Sequence, residues 1–125
     1  MKQHLLVVDD EPPIRELLES YFRKHGYEVT TAADAAEAFN KADNIPLHLV
    51  ILDVLLPDSD GLEILEKLKS AHPSLPIIIM TGIGFDEELL QESIQKGASG
   101  YVSKTLPLDQ LLMEVHRTLN FKAAR

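Results

Sequence analysis

Three stretches of the chain, Leu5–Val8, Leu49–Leu52 and Ile77–Met80, are uninterrupted apolar runs with no alternation. Continuous runs of this length suit strands covered on both faces, as in a parallel sheet. Two weaker runs, Val29–Ala32 and Tyr101–Val102, complete a set of five. At least fifteen residues separate each run from the next, which is room for a crossover helix. A chain of 125 residues supports one core that buries roughly two-thirds of the unfolded surface. The pattern therefore predicts a single α/β domain over residues 1–125, with a tail from about residue 120. Its parallel five-stranded sheet would carry right-handed crossovers and helices on both faces.

The intervening segments have helical spacing. Ile14, Leu17, Leu18, Tyr21 and Phe22 follow i, i+3, i+4, i+7, i+8, with Pro12 and Pro13 at the start and Gly26 as the stop. Asp34 with Glu37, and Asp60 with Glu63, have capping-box spacing and predict helices near 35–42 and 61–70. Asp86 with Leu89, Leu90 and Ile94 marks a fourth helix closed near Gly97, and Leu108, Leu111, Leu112, Val115 and Leu119 mark a fifth. The acidic run Asp86–Glu88 fits a helix N-terminus favoured by the dipole. Phe85 reads as a hydrophobic staple for that helix rather than a gate, and Lys67 and Lys96 as solvated.

In such a sheet ligands bind beyond the carboxyl ends of the strands. The residues expected at that rim are Asp9, Asp10 and Glu11 after strand 1, Thr30 and Thr31 at strand 2, and Asp53 after strand 3. Thr81 and Gly82 follow from strand 4, and Ser103 and Lys104 from strand 5. Two carboxylates ~5 Å apart repel by roughly 3 kcal/mol at an effective dielectric near 20. Either one aspartate takes up a proton or a cation sits among them. Hard oxygen ligands without His or Cys point to Mg²⁺. Carboxylates, a divalent ion, the Lys104 ammonium and the Thr81 hydroxyl make a phosphoryl-transfer constellation. Neither GxxxxGK nor GxGxxG follows strand 1, so metal and side chains rather than a backbone cradle must hold the phosphate.

Charge and composition remove other classes. Twelve Lys and Arg against twenty Asp and Glu give a net charge of −8, which argues against direct nucleic-acid binding or a basic membrane-surface face. The absence of cysteine excludes disulfide, Cys-zinc and thiol chemistry. The five histidines lie at least twenty-one residues apart without metal spacing and read as structural or exposed. No apolar run approaches the ~18 residues of a membrane span. Met1–Asp10 ends in two aspartates and is no secretory signal, so a cytoplasmic protein is expected.

The motifs LLVVDDEPPIRELL, LVILDVLLPDSDGLEIL, IIIMTG and GASGYVSK, in this order, resemble the receiver domain of two-component response regulators, from Leu5 to about Leu119. The resemblance implies a flavodoxin-like doubly wound (βα)5 fold with strand order 2-1-3-4-5. By it Asp53, followed by Pro57 and Gly61, matches the phosphorylated aspartate. Asp10 would bind Mg²⁺ directly, Asp9 through water, and the Leu55 backbone carbonyl would be a further ligand. Lys104 would pair with the phosphoryl group, Thr81 would hydrogen-bond it, and Tyr101 would be the switch aromatic. Helix 4, strand 5 and helix 5 would rearrange, a face that could also serve a homodimer, to control an output that is expected to be transcriptional. A sensor histidine kinase or a phosphotransfer protein would supply the phosphate. Leu55 and Ile83 would flank the path of the hydrolytic water. Many family members carry Pro after the lysine in a cis bond; Thr105 stands here, so a trans bond is expected.

Three other functions compete. An aspartyl-phosphate phosphatase of the haloacid dehalogenase type needs its second acid two residues after a nucleophile on strand 1, whereas the acids here are adjacent. A flavodoxin-like carrier would find its FMN phosphate repelled by Asp9, Asp10 and Glu11. A pseudo-receiver that only docks partners does not need the complete acidic set with Thr81 and Lys104. Leu119–Arg125 shows no effector motif, so the chain is expected either to stand alone or to be an excised receiver.

Overall fold

The computed structural model describes residues 2–56, 59–82 and 86–123, the side chains of 59 and 121–123 excepted. Its central strand, β3 (Leu49–Asp53), is buried along its whole length. On one side it pairs in parallel with β1 (His4–Val8), which pairs in turn with β2 (Glu28–Ala32). On the other side it pairs with β4 (Ile77–Thr81), and β4 with β5 (Gly100–Ser103). The order is 2-1-3-4-5 with every pair parallel, as expected.

The continuous apolar runs divide by parity between two cores. Leu6, Val8, Val50, Leu52, Ile77 and Ile79 face α2 (Ala35–Asn44) and α3 (Gly61–Ala71), packing with Ala38, Ile64, Leu65 and Leu68. Leu5, Val7, Leu49, Ile51, Ile78 and Met80 face α1 (Pro12–Lys24) and α5 (Leu108–Ala123), packing with Leu18, Phe22, Leu111 and Val115. Two covered faces leave no position for a polar residue until the strand ends. The fourth helix, α4 (Glu87–Gln95), buries only Ser93 fully, whose hydroxyl donates back to the Leu89 carbonyl at 2.7 Å.

One of the two predicted capping boxes forms. Asp34 accepts the Glu37 N–H at 2.9 Å, and Glu37 reaches back to the Ala33 N–H. Asp86 accepts the Leu89 N–H at 3.1 Å. Asp60 instead accepts from Leu62, and Glu63 pairs with Lys67, so the second capping box does not form. Gly26 and Gly97 end α1 and α4 with φ of +91° and +103°. Lys96 is not simply solvated, because its ammonium lies 3.2 Å from Glu66 of α3. No helix among the described residues is long and apolar enough to cross a membrane.

Candidate functional site

The register of the sheet builds the site. Val8 lies opposite Leu52, so the next residues, Asp9 and Asp53, emerge side by side. Asp53 lies opposite Met80 and Thr81 opposite Ser103, which brings Thr81 and Lys104 to the same end. Asp9, Asp53 and Thr81 are all fully buried. One carboxylate oxygen from each of Asp9, Asp10 and Asp53 falls within 4.8 Å of the other two. Asp53 Oδ1 accepts the Leu55 N–H at 2.9 Å, and Asp9 Oδ1 accepts the Glu11 N–H at 2.8 Å.

Lys104 reaches the cluster from β5. Its Nζ lies 2.8 Å from Asp53 Oδ2, 3.0 Å from Asp9 Oδ2 and 2.6 Å from Glu11 Oε2. Beyond this ion pairing, Asp9 Oδ2 and Asp53 Oδ2 accept no aligned hydrogen bond, although both are enclosed. Burial pulls the lysine pKa down, but contacts with Asp53, Glu11 and Asp9 outweigh it and hold the ammonium well above its ordinary value. Asp9 responds the other way. Desolvation raises its pKa, and the Glu11 N–H and shared Lys104 only partly offset this. The two directions agree physically, because one cation is shared among three carboxylates and cannot fully offset the burial of Asp9.

The donor set fits a hard divalent cation. Three carboxylates converge without His or Cys, and two of their buried oxygens accept no hydrogen bond beyond the ion pair with one shared ammonium. The cluster can thus hold a metal ion.

Not every expected residue arrives. Thr30 and Thr31 lie within β2 rather than at its end, and Thr30 Oγ1 is 2.6 Å from His4 Nε2, away from the site. The strand runs on to Ala32, whose carbonyl accepts the Asp9 N–H at 3.0 Å. Leu55 follows the site closely with an exposed side chain, in a small antiparallel ladder of Leu55–Leu56 with Ser59–Asp60. Tyr101 is half-buried on β5. Pro57, Ile83 and Phe85 lie outside the described residues. No peptide bond among the described residues is cis, and Lys104–Thr105 is trans as expected. The histidines form no metal cluster among the described residues.

Three contacts at the site were missed. Glu11 caps no helix N–H and turns to a lysine 93 positions away. Arg15 Nη1 donates to the Asp9 main-chain carbonyl at 2.6 Å. Gly61 opens α3 directly against Val54, where a Cβ would lie 2.2 Å from the Val54 Cα. Helical spacing from Pro12 could have placed Arg15 one turn above the rim. Nothing local could have found the other two contacts.

The sequence model of the response regulator receiver domain matches residues 5–116. The chain belongs to the response regulator receiver family. It is 34% identical to the sporulation initiation phosphotransferase F of Bacillus subtilis, over 98% of both chains. The probable transcriptional regulatory protein TcrX of Mycobacterium tuberculosis is 34% identical over 92% of this chain and 49% of its own. The alkaline phosphatase synthesis regulator PhoP of Bacillus subtilis is 38% identical over 83% and 43%. The chain thus spans about half the length of these two transcriptional relatives. The fold superposes on a receiver domain from Methanospirillum hungatei with a TM-score of 0.93, at 31% identity over 99% of this chain and 98% of that one. This receiver is therefore a signalling domain of the kind found in phosphorylation-activated response regulators, which work with histidine kinases or phosphotransfer proteins.

Proposed function

We propose that Asp53 is the phosphoacceptor of a switch that does no chemistry on other substrates. Asp53 Oδ2 would attack the donor's phosphorus, forming the acyl-phosphate bond as the bond to the donor nitrogen or oxygen breaks. The observation that carries this is the placement of Asp53. It is fully buried at the carboxyl end of the central strand, with one oxygen held by the Leu55 N–H and the other 2.8 Å from Lys104. One oxygen is thereby oriented, and the other faces the cation that can follow it onto a phosphoryl group.

Asp10 would hold Mg²⁺ directly, Asp9 through water, and Asp53 and the Leu55 carbonyl would complete the protein ligands. When bound, the ion neutralises charge developing on the transferred phosphoryl oxygens. Lys104 supplies a second positive charge, and the Thr81 hydroxyl a donor. The exchange of partners at Lys104 and Thr81 would pass to Tyr101 and to the face of α4, β5 and α5, where an output element or a second copy would dock. α4 suits this role, since its only fully buried residue is a small serine. The donor would be a phosphohistidine on a sensor kinase or phosphotransfer protein, the setting cytoplasmic, and the output transcriptional, as the names of TcrX and PhoP state for those proteins.

The test is intact-mass measurement after incubation with acetyl phosphate and Mg²⁺. The parent gains one phosphoryl group and Asp53→Asn gains none. Labelling that survives in Asp53→Asn would refute the assignment.

A further inference from the structure

The entry to α1 leaves one carbonyl in need of a donor. Asp9 closes β1, its N–H engaged by the Ala32 carbonyl and its Oδ1 by the Glu11 N–H. Its own carbonyl faces the start of α1, where Pro12 and Pro13 have no N–H to give. The next two N–H groups, of Ile14 and Arg15, both go to the Glu11 carbonyl at 3.1 Å. The Arg15 side chain takes over instead, with Nη1 donating to the Asp9 carbonyl at 2.6 Å. That carbonyl belongs to the peptide plane joining Asp9 to Asp10. Fixing the plane fixes the Asp10 N–Cα bond, so that rotation about this one bond is all that remains to set the direction of the Asp10 Cα–Cβ bond.

We propose that Arg15 is a positioning residue for the metal site: by holding the Asp9–Asp10 peptide plane through the Asp9 carbonyl, it aims the Asp10 carboxylate at the cation. The inference rests on the reading of Asp9, Asp10 and Asp53 as the Mg²⁺ site. Arg15 touches neither a phosphoryl group nor an ion in this role. It acts only through the main chain, as outer residues do when they orient metal ligands. A guanidinium suits the task because its fork is rigid and always charged, and a charged donor gives the short bond observed. The two prolines and the arginine form one device. The prolines start the helix sharply and remove the backbone donors, and the side chain one turn on replaces them.

The experiment is calorimetric titration of the full chain with Mg²⁺ alone, beside thermal melting without metal. Arg15→Met keeps the apolar stem and loses the donor. Its Mg²⁺ affinity should fall roughly tenfold, the usual effect of losing an outer orienting contact. Its metal-free melting temperature should stay within a few degrees of the parent. Arg15→Lys still donates and should recover most of the affinity. With acetyl phosphate, the Arg15→Met rate should be depressed at low Mg²⁺ and return to the parent's at saturating Mg²⁺. A deficit that persists at saturation would overturn the proposal, as would Arg15→Lys binding no better than Arg15→Met. Should Arg15→Met melt too low to assay, Arg15→Leu, which also lacks a donor, carries the same comparison. Asp10→Asn separates the two levels. If it loses Mg²⁺ while Arg15→Met binds like the parent, only the positioning role is wrong. If Asp10→Asn also binds like the parent, the metal-site reading itself is wrong.

Discussion

Gly61→Ala tests whether the site depends on one point of backbone contact. The added Cβ would lie 2.2, 2.5 and 2.7 Å from the Cα, O and C atoms of Val54. All three are main-chain atoms, so no rotamer change relieves the overlap. Ordinary carbon contacts begin near 3.5 Å, so α3 and the β3 exit must separate by about 1 Å or more. Overpacking of this kind costs about 1–3 kcal/mol, and a backbone-to-backbone clash belongs at the upper end. For a domain of this size each kcal/mol moves the melting temperature by about 3–5 °C, so a loss near 10 °C is expected. The functional effect should be the larger one. Val54 follows Asp53, and the neighbouring Leu55 N–H holds Asp53 Oδ1 at 2.9 Å. A shift of about 1 Å at a reacting group can cost roughly a hundredfold in rate. The assays are thermal melting by circular dichroism and the rate of phosphoryl uptake from acetyl phosphate at a temperature where both proteins are folded. A variant that melts within about 2 °C of the parent and labels at the same rate would refute the reasoning. It would show that α3 can retreat without moving Asp53.

Three further outcomes follow from the charges and the water path. Lys104→Met leaves Asp9 and Asp53 buried without their shared cation, a defect of about 3–5 kcal/mol for a broken buried pair. Its metal-free melting temperature should drop by ~10 °C at pH 8, and added Mg²⁺ should restore part of it; an unchanged melt would refute the coupling. Burial raises the Asp9 pKa, so the metal-free native state holds this proton more tightly than the unfolded chain does. That contribution to stability is present below the ordinary Asp value and is lost as pH rises through the raised one, whereas Mg²⁺ needs the ionised form. Mg²⁺ should therefore raise the melting temperature more at pH 8 than at pH 5, and equal shifts at both would count against the assignment. Leu55 offers no polar side-chain group to orient a water, which is worth about 1–3 kcal/mol of barrier, so the phosphorylated protein should last for hours. Leu55→Asn with Ile83→Glu should speed phosphate loss at least tenfold; a parent half-life of seconds, or no acceleration, would dismiss the idea.

The order of elements, the two-faced burial of β1, β3 and β4, and the acids at the strand ends were all legible in the sequence. Each is a local pattern, either a continuous apolar run, a 3.6-residue period or a polar residue where a run stops. Asp9, Asp10, Asp53, Thr81 and Lys104 stood out for that reason, and the family motifs gave them expected roles. The tertiary structure decided what local patterns do not encode. Register placed Asp9 beside Asp53 and kept Thr30 and Thr31 inside β2, because strand length depends on the neighbour it pairs with and not on its own polarity. Spatial packing brought Glu11 to Lys104 and the α3 N-terminus onto Val54. It also turned Arg15 back onto the Asp9 carbonyl, since two prolines had emptied the helix entry of backbone donors. A sequence lists which groups are present and on which face of an element they fall. Which oxygen meets which donor is settled only when crossovers and register put distant elements within about 3 Å of one another.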